Sequence, residues 1–223
     1  MPPERPPYSL LYPGQVLWHV YGDPYAATAF NPASPGRFAA RQATPARSMY
    51  YAGTTPACAL WETVLRNIVA VSPEQPVELP PLDPLHIARV SLTVECPILD
   101  LRAPAIRWLT GADARKLERL QASTVTPDYS TTHALAAELL AQYGDAHGIR
   151  WHSRQFGGES VVLLYSPPAA SSALVSHQEY SLRSKIGLAL IDDALSPVGL
   201  RRADFEGLAR ELAAELPRDD PED

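Results

Sequence analysis

The sequence predicts a single α+β domain, and three observations carry that prediction. A chain of 223 residues with 46% hydrophobic content is long enough to bury one substantial core and too short to favour two. Apolar periodicity switches between 2 and 3.6 along the chain, yet strands and helices do not follow each other in the regular βα alternation of a doubly wound sheet. The chain has 23 prolines, with clusters at Pro2–Pro7, Pro73–Pro84 and Pro217–Pro221, where they fix φ and remove amide donors at the boundaries of elements, not of domains. The organisation expected is a proline-rich leader over residues 1–14, one domain over 15–215 and an acidic, disordered tail over 216–223.

Each element follows from its local pattern. In Gln15–Tyr21, Val16, Trp18 and Val20 share one face and His19 and Tyr21 the other, which predicts a half-buried strand with His19 turned away from the main apolar set. The aromatic run Ser48–Gly53 predicts a second strand, with Tyr50 and Tyr51 on opposite faces. A third is expected where Val90, Leu92 and Val94 alternate with Ser91, Thr93 and Glu95, and Val161–Tyr165 reads as a buried strand. Helices are expected at Pro56–Val69, around Ala112–Gln121, at Thr132–Tyr143, at Leu182–Leu195 and at Ala203–Leu216. The first of these has Thr55 as N-cap and Pro56 in its first turn, where a missing amide costs nothing. Its apolar residues at 57, 60, 61, 64, 65 and 68 form one stripe, with Glu62 at the edge. The small-residue segment Ser166–Ala173 reads as a loop.

Charge and composition remove several functions. Twenty-five acidic against nineteen basic side chains give a net charge of −6, which opposes nonspecific attraction to nucleic acids and anionic membranes. Cys58 and Cys96 are too few for a disulfide framework and have no C-x-x-C spacing, so a reducing cytoplasm is the expected home. The prolines of the first seven residues interrupt any secretory signal, and no run of about 18 apolar residues occurs. His86, His133, His147 and His177 show no metal-ligand spacing, and no metal is expected. Neither a Walker loop nor Gly-x-Gly-x-x-Gly is present to cradle phosphate, and no Gly-x-Ser-x-Gly elbow marks a hydrolase nucleophile.

Three stretches hold polar residues in an otherwise apolar context: Gly36-Arg37-Phe38, the run from Tyr51 to Glu62, and Gly148-Ile-Arg-Trp-His-Ser153-Arg154. Taken alone, Glu62 reads as a surface residue paired with Arg66 at i+4. Arg37 reads as a solvated loop residue, with Arg41 and Arg47 as competitors for any functional role. Tyr51 reads as a core aromatic and Ser153 as a structural hydroxyl. Adjacent residues of an extended segment point to opposite sides, so a Ser153–His152 dyad is not expected.

Together, the order and spacing of these residues resemble the RES-domain family, which takes its name from an Arg, a Glu and a Ser. The likeness runs from about Leu17 to Tyr165. It implies a fold similar to ADP-ribosyltransferases, with a split β-sheet core and flanking helices, and NAD as substrate. It implies Glu62 as the catalytic carboxylate, Arg37 as a phosphate or ribose anchor and Tyr51 at the nicotinamide end. Ser153 and Arg154 would support the same pocket, Ser153 by hydrogen bonding ribose or nicotinamide or by orienting Glu62. Family members are commonly toxins paired with an antitoxin carrying a helix-turn-helix domain. The activity so implied is cleavage of the nicotinamide–ribose bond, with water, phosphate or a protein side chain as acceptor. A catalytically silent module acting through antitoxin binding is the alternative, which the presence of all four polar positions opposes. No direct nucleic-acid or membrane binding is expected, and homo-oligomerisation is left open.

Overall fold

A computed structural model describes residues 8–43, 47–68, 76–166 and 173–203. In chain order the elements are β1 (Tyr8–Leu11), β2 (Val16–Gly22), β3 (Met49–Gly53), α1 (Pro56–Trp61), β4 (Leu85–Leu92), β5 (Cys96–Asp100) and α2 (Ile106–Thr110). Then follow α3 (Ala114–Val125), α4 (Tyr129–Gln142), β6 (Gly148–His152), β7 (Ser160–Tyr165), β8 (Leu174–Ser181) and α5 (Lys185–Leu195). The strands form one sheet in the order β1-β5-β6-β7-β3-β2-β4-β8. Every pairing is antiparallel except β5 with β6.

This sheet is split in all but name. β2 and β3 meet through one registered pair, Trp18 with Gly53, whereas β3 pairs with β7 along five residues and β2 with β4 along seven. One half therefore consists of β1, β5, β6, β7 and β3, and the other of β2, β4 and β8, with the strands diverging where the halves meet. Three apolar clusters cover the sheet. Leu99, Ile149, Trp151 and Leu163 pack beneath α2, α3 and α4, while Val162 and Leu164 meet Leu17, Tyr50 and Val90 on the opposite side. α1 and α5 form the third cluster through Leu60, Trp61, Ile191 and Leu195 over Ile87. Both faces of β7 are consequently buried, as its apolar composition predicts.

Several expectations need correction. The helix expected over Pro56–Val69 ends at Trp61: the Thr63 hydroxyl donates back to Ala59 O at 2.6 Å, and Leu65 N reaches Leu60 O, so the chain opens into wide turns. All of Cys58, Ala59, Leu60 and Trp61 are buried, and the Trp61 indole donates to Ala194 O at 2.9 Å, which locks α1 onto α5. The third strand runs earlier than its alternation suggested, ending at Leu92, with Val94 exposed in the bend before β5. β2 is covered on both faces, since His19 and Tyr21 pack with Tyr50 as Trp18 and Val20 pack toward α1 and α5. Within the stretch read as a leader, Tyr8–Leu11 pairs with β5. The helix expected at Ala203–Leu216 and the acidic tail lie outside the described residues.

Buried charge is confined. Asp100, 3% exposed, accepts from Arg102 and Arg150 and from the Ser9 hydroxyl, tying β1, β5 and β6 together. Burial alone would raise its pKa, but the hydrogen bonds from Arg102 and Arg150 hold it below the usual carboxylate value.

Candidate active site

Glu62 occupies the position just past α1, whose N-terminus is set by Thr55 accepting from Cys58 N at 3.2 Å. Gly53 makes this placement possible: a Cβ there would lie 2.5 Å from Ala59 N, so only glycine lets β3 pass so close beneath the helix. Glu62 Oε1 accepts from the Ser153 hydroxyl at 2.6 Å and from Arg154 N at 3.1 Å. The Ser153 oxygen in turn accepts from Phe156 N at 2.9 Å, so the hydroxyl is spent on both sides. Ser153 is buried and His152 beside it is exposed. Arg154 engages Glu62 through its backbone, while its side chain is exposed. The i+4 partner read from sequence is not used, because α1 has ended before Arg66. Among the described residues, no group donates to Glu62 Oε2.

Arg37 is 7% exposed. Its Nη1 donates to Ser123 O at 2.7 Å, and its Cζ lies 5.1 Å from the centroid of the Tyr129 ring. Burial lowers its pKa, partly offset by Tyr129 and Glu62, though a guanidinium stays protonated at any ordinary pH. Among the described residues no carboxylate forms an ion pair with it. The loop that carries it is heavily constrained. Tyr51 donates its hydroxyl to Arg37 O at 2.8 Å, and His133 donates from Nε2 to Gly36 O at 3.0 Å. Phe38 next to it has φ 57°, an uncommon conformation for a bulky side chain that costs about 1–3 kcal/mol. That cost is offset by complete burial of the ring against Trp151, and by hydrogen bonds from Tyr165 OH to Phe38 O and from Phe38 N to Thr132. The backbone turns so that Phe38 enters the core while Arg37 faces the cleft.

Arg37, Tyr51 and Glu62 line one cavity of about 1140 Å³ where the halves of the sheet diverge. Such a volume suits a large, dinucleotide-sized ligand. Trp18, His19, Arg66, Tyr129 and Trp151 line it too. Ser153 and Arg154 stand behind Glu62 and do not reach the wall. Arg41 is exposed and Arg47 donates to Ala146 O at 3.4 Å, and neither lines the cavity.

The RES-domain family model matches residues 16–183, three quarters of the chain. The chain belongs to the RES-domain family. A chain of the crystal structure of the M. tuberculosis MbcT–MbcA toxin–antitoxin complex shares the fold, with a TM-score of 0.53 and 13% identity over 82% of this chain and 92% of that chain. No curated protein sequence matches. The split sheet with flanking helices is thus the ADP-ribosyltransferase-like architecture that the sequence resemblance implied.

Three residues of this RES domain were not singled out as cavity residues by sequence. Tyr129 opens α4, ninety-two positions after Arg37, and nothing in its neighbourhood marks it. Arg66 donates from Nη2 to the Tyr129 hydroxyl, and its Cζ lies 5.1 Å from the same ring centroid. His19 donates from Nδ1 to Tyr51 O at 2.6 Å, and burial lowers its pKa to about 4, so it is a neutral imidazole in the cavity wall. Cys58, close to Glu62, is pushed up to about 12 by burial and is no nucleophile. Among the described residues no group of His, Cys, Asp or Glu is arranged to hold a metal ion, and no helix is long and apolar enough to cross a membrane.

Proposed function

We propose that this RES domain cleaves the nicotinamide–ribose bond of NAD, as a glycohydrolase or phosphorylase, and is the toxin of a toxin–antitoxin pair. One observation carries the reading: a carboxylate held through a single oxygen, Glu62, and a buried guanidinium without an acid partner, Arg37, line the same large cavity. An unpaired buried charge is costly unless a ligand completes it. NAD offers both complements, phosphates for the cation and a ribose that becomes cationic for the anion.

Bond cleavage sends the glycosidic electron pair to the nicotinamide ring nitrogen and neutralises its pyridinium, so no general acid is needed. Positive charge develops on the ribose as an oxocarbenium-like state, comparable to that of glycoside cleavage. Glu62 Oε2 would face that charge while Oε1 is fixed by Ser153 and Arg154, an arrangement that needs no reorganisation when the charge appears. Arg37 would hold phosphate or ribose oxygens by directed bonds. The Tyr51 ring, fastened through its hydroxyl, would border nicotinamide. Water or phosphate then closes the reaction at C1′. A protein side chain in that place would make the enzyme a mono-ADP-ribosyltransferase.

The solved structure that shares this fold is titled a toxin–antitoxin complex, which supports an antitoxin as partner. A helix-turn-helix antitoxin that covers the cavity mouth is the form we propose, with DNA contact left to the partner because this chain carries a net charge of −6. Incubating the pure, folded protein with NAD and following nicotinamide release tests the proposal. Release that falls steeply in Glu62→Gln is expected, and no release from the wild-type protein would overturn it.

A further inference from the structure

The Tyr129 ring has two guanidinium neighbours. Arg37 Cζ and Arg66 Cζ each lie 5.1 Å from its centroid, so the two cations are separated by no more than twice that distance. They come from opposite sides of the chain's first helix, and Tyr129 comes from the start of α4. Like charges so placed repel, and the charge of Arg66 does contribute to the lowered pKa of Arg37. Among the described residues neither forms an ion pair with a carboxylate. Glu62 Oε1 is occupied by Ser153 and Arg154, and Asp128, adjacent to Tyr129, accepts from Ser130 N and from the Ser130 and Thr131 hydroxyls. The hydrogen bonds found for the two guanidinia are one from Arg37 to Ser123 O and one from Arg66 to the Tyr129 hydroxyl, which leaves most of their N–H groups for something else.

We infer that Arg37, Arg66 and Tyr129 form a diphosphate clamp, in which Tyr129 gathers the two guanidinia at one cavity wall and Arg66 supplies the second anchor. A single phosphate needs one guanidinium, and the deeply buried Arg37 serves it alone. A second, exposed guanidinium on the same cavity wall adds nothing for a mononucleotide that one anchor already holds. It does add for a ligand whose two phosphates are linked, because both pairs then form in one event at little further entropic cost. Arg66 thus becomes the residue by which the site prefers dinucleotides to mononucleotides. The inference rests on the NAD reading of this cavity and deepens it.

Inorganic pyrophosphate and orthophosphate, titrated calorimetrically into the full chain at low ionic strength, test the clamp without any turnover. Pyrophosphate is expected to bind the wild type more tightly than orthophosphate, and Arg66→Gln is expected to weaken pyrophosphate about tenfold while affecting orthophosphate less. Tyr129→Phe, which keeps the ring and removes the hydroxyl that steers Arg66, should fall between them. With NAD as substrate, Arg66→Gln should raise KM about tenfold with kcat little changed, and raise KM for nicotinamide mononucleotide by a smaller factor. Equal pyrophosphate affinity in wild type and a folded Arg66→Gln variant, or no wild-type preference for pyrophosphate, would overturn the clamp. Failure of the wild type to cleave NAD would defeat the functional proposal above, and the pyrophosphate titration would still decide the clamp.

Discussion

The Ser153 hydroxyl donates to Glu62 Oε1 at 2.6 Å, joining the end of α1 to the residue after β6 across 91 positions of sequence. This bond holds the carboxylate from behind, at a cavity that Glu62 lines and Ser153 does not.

Replacing Glu62 by Gln removes the charge and keeps a side-chain oxygen for Ser153 and Arg154 N to donate to. Nicotinamide release is expected to fall about 10²–10³-fold, with thermal unfolding little changed. Unchanged turnover in the folded variant would take Glu62 out of the mechanism.

Ser153→Ala frees Glu62 to rotate and leaves Phe156 N without its acceptor. A stability loss of about 1–3 kcal/mol is expected, together with a fall in kcat larger than any rise in KM. Ser153→Thr retains the hydroxyl and should restore most of kcat. A purely structural serine would show the stability loss with kcat intact.

Gly36→Ala would place a Cβ 2.7 Å from Tyr51 Cζ and 2.8 Å from its hydroxyl oxygen. That ring is half-buried and anchored to Arg37 O, so the loop must move and carry Arg37 with it. A destabilisation of about 1–3 kcal/mol is expected, with KM for NAD raised. Combining the change with Tyr51→Leu should cost less than the two separately, since the clash partner is gone. Strict additivity in chemical denaturation would contradict this account.

His19 links stability to pH. Its folded pKa of about 4 lies below the ordinary histidine value of about 6.5, because burial disfavours the cation. Above pH 6.5 neither state binds the proton and the residue has no effect. Between about pH 6.5 and pH 4 the unfolded chain takes up a proton that the folded chain refuses, so stability falls as pH falls, by about 3 kcal/mol at most, and then levels off. His19→Asn, which keeps a donor near the Nδ1 position, should show a shallower loss over that window in urea unfolding measured at successive pH values.

Much of this architecture was legible in sequence because local pattern and tertiary burial agree there. β2, β3, β7 and α5 lie where periodicity placed them within a few residues. β5 and β6 escaped notice because each is short and interrupted by Pro97 or Arg150, and α1 was read too long because residues 64, 65 and 68 keep the helical spacing in turns that bury the same side chains. For the site, the resemblance picked out Arg37, Tyr51, Glu62 and Ser153, and the cavity holds the first three in its wall. Tyr129 and Arg66 left no sequence signal: their relation to Arg37 is made by the docking of α4, which no spacing in the chain encodes.

The strand order has a consequence for how the protein is made. Tyr51 sits on β3, whose main neighbour is β7, and Arg37 and Glu62 find their partners at Ser123, Tyr129 and Ser153. A ribosome that has released only the first hundred residues has therefore released Arg37, Tyr51 and Glu62 without β7, Ser123, Tyr129 and Ser153 to hold them in place. Long-range pairing of this kind closes late and slowly. The growing chain thus stays without an assembled site until β7 has emerged, which leaves a window during synthesis for a partner to arrive first.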